Sequence, residues 1–186
     1  VSPLNARTKI QALIRQEIQN ANEGIKAEIT LKINNLDDKL LIDDLYKASQ
    51  AGVKIKAIIR GMCSLAPGVK GLSENISVIS VVDRFLEHPR VMVFENAGDK
   101  KMFISSADWM TRNMDFRIEV GCPIYDEDLK RRIMDILHLQ LKDTLKARVI
   151  DKEQTNQYVP RGNRKNLRSQ TEIYRYLKAL EKDKNA

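Results

Sequence analysis

The sequence predicts an α/β fold: a mixed β-sheet flanked by helices, with a carboxy-terminal helical tail. Three observations carry this. An alternating apolar run, an amphipathic stretch and a β-branched run follow one another through residues 27–59 with short joints between them. Strand–helix–strand in that form implies parallel pairing and a right-handed crossover. Asn96-Ala-Gly98 separates two further strand candidates and marks a hairpin, which adds antiparallel pairing. Two amphipathic helices close the chain.

Element by element, Ile10, Leu13, Ile14, Ile18 and Ala21 recur at helical spacing, with Asn5 as the N-cap. Residues 27–34 alternate as a strand. Residues 37–50 are helical, with Leu40, Leu41, Leu45 and Ala48 on the inward face and Ala51-Gly52 as the stop. A β-branched strand over 53–59 ends at Arg60-Gly61. Residues 65–75 form a loop punctuated by Pro67, Gly68 and Gly71. Strands are predicted over 76–82, 91–95 and 101–105, and again over 116–122, where Pro123 would stop the last. A long helix spans 126–146 with Leu129, Ile133, Ile136, Leu137 and Leu141 inward. A polar stretch over 151–166 then leads to a helix over 168–181.

The chain reads as one domain, 1–186, with residues 4–22 a leading helix and 151–186 a basic tail. There is no initiator Met and the first helix begins almost at once, as expected of a segment from a longer protein whose preceding domains are absent. No apolar run approaches the ~20 residues of a membrane span, and nothing reads as a signal peptide. Cys63 and Cys122 are too few for a disulfide framework or a four-ligand zinc site, and their apolar contexts predict buried free thiols in a reducing cytosol. The net charge is +7, and residues 146–186 hold eleven Lys/Arg against five Asp/Glu. Such a balance favours polyanionic partners: nucleotide, nucleic acid, anionic lipid or polyphosphate.

Of the two histidines, His138 lies inside a helix and is assigned a structural role. His88 lies between two strands beside Pro89, in Arg84-Phe-Leu-Glu-His-Pro-Arg90, where a side chain is placed to meet a ligand. His88, Arg90 and Glu95 have the form His-x-basic-x4-acidic, and Ser105-Ser-Ala-Asp108 follows a strand later. This resembles, in degenerate form, the phospholipase D signature of His-x-Lys-x4-Asp followed by Gly-Ser-x-Asn. An imidazole can attack phosphorus or protonate a leaving oxygen, a cation neutralises non-bridging oxygens, and hydroxyls donate further hydrogen bonds. Arginines gather at strand ends: Arg60 after the 53–59 strand, Arg84 and Arg90 around His88, and Arg117 shortly after Arg112. The planar guanidinium fork suits paired phosphate oxygens.

Longer stretches resemble the polyphosphate kinase family in order and spacing. Ser2-Pro-Leu-Asn-Ala-Arg-Thr-Lys9 is one. Ile33-Asn-Asn-Leu-Asp-Asp-Lys39, Ala48-Ser-Gln-Ala-Gly-Val-Lys54, Ile59-Arg-Gly-Met-Cys-Ser-Leu-Ala-Pro-Gly-Val69 and Gly71-Leu-Ser-Glu-Asn-Ile76 continue it. Arg84-Phe-Leu-Glu-His-Pro-Arg90, Ser105-Ser-Ala-Asp-Trp-Met-Thr-Arg-Asn113 and Tyr158-Val-Pro-Arg-Gly162 carry it to the end. The resemblance implies the second of two phospholipase-D-like domains in an enzyme that reversibly transfers the terminal phosphate of ATP to polyphosphate, with Mg2+, through a phosphohistidine in the preceding domain. It implies His88 as a catalytic partner histidine and Arg60, His88 and Arg117 as ATP or phosphate contacts, with no metal ligand in this segment. It further implies ATP/ADP and polyphosphate as partners, docking to the preceding domains of the same polypeptide, a homo-oligomer, and a cytoplasmic protein with peripheral association at the inner membrane left open. An isolated fragment is expected to be inactive.

Two other readings remain open on the residues alone. A phospholipase-D-type phosphodiesterase or nuclease would share His88, but prefers Lys at position 90 and Asn at 108. A basic nucleic-acid-binding module would use the tail, but aromatic residues are only 5% of the chain, which leaves few stacking platforms.

Overall fold

The computed structural model describes residues 1–184. Its elements in chain order are α1 (Ala6–Asn22), β1 (Glu28–Ile33), α2 (Lys39–Gln50), β2 (Lys54–Ile59), β3 (Ile76–Val81), β4 (Val91–Phe94), β5 (Lys101–Ser105), α3 (Thr111–Asp115), β6 (Gly121–Ile124), α4 (Glu127–Leu141), β7 (Ala147–Ile150) and α5 (Ser169–Lys184). The strands make one seven-stranded sheet in the order β6-β5-β4-β1-β2-β3-β7. The expected mixed sheet is present: β1, β2 and β3 are parallel, and the remaining pairings are antiparallel.

Apolar side chains on both faces of the central strands explain the two-sided layering. Ile29, Leu31, Ile33, Ile55, Ile59, Met92 and Phe94 pack against Ile10 and Ile14 of α1 and Leu41 and Leu45 of α2. Ile58, Val81, Val91, Val93 and Met102 pack against Leu137 of α4 on the other face. Strands covered on both sides read as nearly continuous apolar runs. Thr30 and Lys32 interrupt that run in β1 and are buried nonetheless.

Register decides where the ends of the strands fall. Ile33 is opposite Ile59, Lys32 opposite Val91, Val91 opposite Ile104, Ser105 opposite Gly121, and Val81 opposite Ala147. The carboxyl ends of β1, β2, β3 and β5 therefore share one edge with the amino ends of β4, β6 and β7. Open α/β sheets bind ligands at such an edge.

Several expectations are corrected. The helix predicted over 126–146 stops at Leu141. There the Asp143 carboxylate accepts from the N–H groups of Leu145, Lys146 and Ala147, at 2.9, 2.7 and 3.1 Å, and from Ser169 N–H at 2.7 Å. A short side chain satisfying nearby backbone donors competes with helix continuation, and the chain enters the unpredicted strand β7. The strand predicted over 116–122 lies later, at Gly121–Ile124, behind the short helix α3. Pro123 sits inside this strand instead of stopping it, which an edge position tolerates because no neighbour needs its missing N–H. Leu40 and Leu129 point outward, Cys63 is only partly buried and Cys122 is exposed. Asn5 does cap α1 by position, but its side chain accepts from the Val1 amino group instead of a helix N–H.

The hairpin between β4 and β5 forms as expected, with Asn96, Ala97 and Gly98 all at positive φ. The tail folds back on the sheet: Val149 N–H donates to Gln157 O and Val159 N–H to Ala147 O, while Tyr176 donates to Asp135 and ties α5 to α4. Among the described residues no helix is long and apolar enough to cross a membrane.

Candidate active site

His88, Arg60 and Arg90 meet at the sheet edge defined above, and the reasons are local. Pro89 keeps the 82–90 connection from becoming helical, so His88 rides an exposed loop immediately before β4. Arg90 lies against the imidazole: its Nη1 is 3.1 Å from His88 Nδ1 and its Nη2 is 3.3 Å from Nε2. A neutral imidazole has only one acceptor nitrogen, so at most one of these approaches is an in-plane hydrogen bond. Nη1 also donates to the His88 carbonyl at 3.2 Å.

Arg90 is held from behind. Its Nε and Nη2 donate to the two oxygens of Asp108, each at 3.1 Å, and both side chains are largely buried. Asp108 further accepts from Asn34 N–H at 2.8 Å, Asn35 N–H at 3.2 Å and the Asn35 side-chain amide at 3.0 Å. Burial alone would raise the carboxyl pKa, but Arg90, Asn35 and the two backbone donors more than offset it and hold Asp108 below the usual carboxylate range. Position 108, where the phospholipase D signature has Asn, thus carries the counter-charge to the arginine that replaces its Lys.

Arg60 reaches the same loop from β2. Its Nε donates to the Glu87 carbonyl at 2.6 Å, one residue before His88. The exit from β2 closes tightly onto Asn34 and Asn35: Gly61 N–H donates to Asn34 O at 2.8 Å and Met62 N–H to Asn35 Oδ1 at 3.0 Å. A Cβ on Gly61 would lie 2.5 Å from that Oδ1 and 2.9 Å from Asn34 O, so only glycine lets this turn pass the asparagines that orient Asp108.

Sequence reasoning missed a second layer. The Glu87 carboxylate is the hub of a buried network: Lys32 Nζ donates to it at 2.7 Å, Gln170 Nε2 at 3.0 Å, and Gln140 also donates to it. Burial pulls the Lys32 pKa down, partly countered by Glu87. Gln170 also accepts from Phe85 N–H at 2.9 Å and donates to Phe85 O at 2.8 Å, like a rung of sheet. Arg168 forks onto Asp83 at 2.7 and 2.6 Å. The start of α5 therefore clamps the loop that carries His88. Lys32 was legible only as an alternating polar residue, and nothing in the chain revealed that α4 covers it.

Neither Arg117 nor Glu95 is hydrogen-bonded to His88 among the described residues. Arg117 follows α3 on the segment leading into β6; it is exposed, and no hydrogen bond joins its side chain to His88 among the described residues. Glu95, the acidic member of the motif, sits at the far end of β4, paired with Lys26 and Lys100. Seven residues of extended chain separate it from His88 by roughly 20 Å, so it anchors the strand and takes no part in the chemistry at His88. His138 is exposed on α4. Among the described residues no group of three or more His, Cys, Asp or Glu side chains is disposed to hold a metal.

The arrangement offers an exposed imidazole and two arginines fixed by neighbours, suited to a phosphoryl group, whereas the Ser105 and Ser106 hydroxyls donate to the Val120 carbonyl and the Glu119 carboxylate. Comparisons with known proteins give the family and the fold. The model of the family described as polyphosphate kinase C-terminal domain 2 matches residues 1–170. The polyphosphate kinase of Vibrio cholerae serotype O1 is 65% identical over 182 residues, covering 98% of this chain and 26% of that protein. The crystal structure of polyphosphate kinase from Porphyromonas gingivalis matches with a TM-score of 0.94 at 46% identity, over 96% of this chain and 28% of that one. Nuc from Salmonella typhimurium, a phospholipase D family member, matches with a TM-score of 0.52 at 12% identity, over 74% of this chain and 90% of that one, a likeness of fold alone. The fold is thus phospholipase-D-like, and the chain spans about a quarter of the length of the curated relatives it matches.

Proposed function

This chain belongs to the polyphosphate kinase family, and from that footing we propose that it supplies one half of a site that reversibly moves the terminal phosphate of ATP onto polyphosphate. The observation that supports the reading best is the meeting of His88, Arg60 and Arg90 at one sheet edge, with Arg90 fixed by the buried Asp108. Donor, acceptor and products are all polyanions, and catalysis of phosphoryl transfer is mostly positioning and charge stabilisation.

In this reading a histidine of the preceding domain attacks the γ-phosphorus. The P–O bond to the β-phosphate breaks, ADP leaves, and the terminal oxygen of polyphosphate then takes the phosphoryl group from that histidine. His88 protonates a leaving oxygen or contacts the phosphate, while Arg60 and Arg117 bind non-bridging oxygens. Asp108 is a positioning residue, acting through Arg90. Mg2+ enters with the nucleotide, and no step is assigned to a metal held by this chain. The protein is read as cytoplasmic, a homo-oligomer, with its preceding domains docked on this one and peripheral membrane association left open.

The test is polyphosphate formation from ATP by the full-length protein, wild type against His88→Ala, with the 186-residue chain as a third arm. Loss of synthesis in the variant and none from the isolated chain is the expected result. Synthesis that survives His88→Ala would demote His88 to scaffolding. Synthesis by the isolated chain would remove the need for a histidine outside it. Release of a leaving group from a phosphodiester without ATP would turn the reading to a phosphodiesterase.

A further inference from the structure

Beyond His88 the same sheet edge continues past β2 and β3 to β7, and there it opens into a cavity of about 620 Å³. Three cations line it, Arg60, Lys146 and Arg148, together with Ser80, Gln154 and Asn156; no Asp or Glu does. Among the described residues none of these cations is paired with a carboxylate, although fourteen ion pairs form elsewhere in the chain. Such a concentration of unpaired like charge costs stability through self-repulsion, and an anionic ligand relieves it.

The cations are also placed. The Arg148 guanidinium lies 4.0 Å from the centroid of the Tyr158 ring and donates Nη1 to Asn156 O at 2.7 Å. Stacking plus one backbone bond fixes the plane of the fork and leaves its other donors for a ligand. Arg60 belongs to both regions: Nε is bound to the carbonyl beside His88, and the side chain lines the cavity. Its volume falls within the ~300–1,000 Å³ of sites that hold extended small molecules, too large for one phosphate group alone.

We propose that this cavity is a chain-holding subsite for polyphosphate, in which Arg60 takes a phosphate near His88 while Lys146 and Arg148 take phosphates further along the same chain. The inference rests on the functional reading above and adds a second, remote set of contacts. Remote contacts of this kind matter only for a ligand long enough to span both regions, so the signature is a dependence on chain length.

The experiment is titration of the full-length protein, without nucleotide, with pyrophosphate and with long-chain polyphosphate. The proteins are wild type, Arg148→Gln, Lys146→Gln and the double variant. Lys146 makes no side-chain hydrogen bond among the described residues, so Lys146→Gln tests the idea even where Arg148→Gln disturbs the Tyr158 stack. Each substitution is expected to weaken long-chain binding roughly tenfold, as for loss of one charge-assisted contact, and to change pyrophosphate binding less than twofold. The slope of log affinity against log salt should fall by roughly 0.7 per contact removed, the value for a single-stranded polyanion. Equal losses for both ligands would mean a diffuse field instead of a subsite, and no loss for either would place the chain elsewhere; both overturn the proposal. Failure of the wild type to bind polyphosphate at all would overturn the functional reading as well, which separates the two.

Discussion

Replacing Asp108 by Asn probes the support behind the site, and its cost follows from the bonds it changes. The carboxylate accepts five hydrogen bonds, two from Arg90, two from the Asn34 and Asn35 N–H groups, and one from the Asn35 side chain. An amide keeps one acceptor oxygen, which can still serve the backbone donors. Its NH2 group, however, faces Arg90 Nη2 and Asn35 Nδ2, donor against donor. Both bonds lost run to the ionised carboxylate, and each is worth about 1.5–3 kcal/mol. A cost of about 3 kcal/mol results, at the low end for breaking a buried pair because Asn is nearly isosteric. Little discount for solvent applies, since the side chains of Arg90 and Asp108 are 12% and 7% exposed. With a urea m-value of about 1–3 kcal/mol/M, the midpoint at pH 7 should fall by about 1–3 M.

The pH dependence supplies the sharper check. Asp108 has a folded pKa below its unfolded value of about 3.9. Its contribution is therefore fully present above that value and is lost as pH falls through the folded pKa. The wild type should keep its whole advantage over Asp108→Asn at pH 5 and lose it progressively below about pH 4. Equal midpoints at pH 7, or a gap that does not narrow in acid, would refute the account of Asp108 as the ionised partner of Arg90.

Two further outcomes concern the elements that aim the loop. Gln170→Ala removes three hydrogen bonds to Phe85 and Glu87; hydrogen exchange of the Phe85 amide should accelerate about tenfold, the equivalent of roughly 1.4 kcal/mol, while amides in β1 and β2 keep their protection. Unchanged exchange at Phe85 would mean that α5 does not clamp the loop. Gly61→Ala forces a Cβ against Asn35 and the Asn34 carbonyl, and should cost about 1–3 kcal/mol in urea denaturation; a neutral substitution would show that this turn has room to relax.

Much of the fold was legible because the central strands and first two helices obey local rules. Ala51-Gly52 stops α2 where expected, with Gly52 at φ 98°, and Asn96-Ala-Gly98 makes the hairpin. The failures were settled by side chains and neighbours that local propensity does not weigh. Asp143 ends α4 by taking the N–H groups of Leu145, Lys146 and Ala147 on one oxygen, while Ser169, 26 residues on, holds the other. Ala147–Ile150 becomes a strand because β3 offers it an open edge, whereas local propensity allowed the helix to run on. Pro123 was read as a stop, yet β6 is an edge strand of the described sheet, where a missing N–H is tolerated.

The same distinction runs through the site. His88, Arg60 and Arg90 were visible because loop position and motif spacing are local properties, and the register of the parallel strands then brings Arg60 to the loop. The residues that aim them were not. Asp108 stood out only as a departure from a signature, and its meaning appears once Arg90 is seen across from it: one change of Lys to Arg beside one of Asn to Asp keeps a donor–acceptor match at that spot. Lys32, Glu87, Gln140 and Gln170 come from β1, the His88 loop, α4 and α5, and no periodicity relates them. Groups that meet substrate must be exposed and chemically distinctive, so a sequence reveals them early. Groups that orient them need only complement a neighbour, and complementarity is a property of pairs that the linear chain keeps apart. The tail illustrates the consequence. By charge it reads as a free basic surface, yet Arg168 is committed to Asp83 and Gln170 to Phe85 and Glu87, whereas Lys146 and Arg148, at the entry to β7, line the cavity beside Arg60.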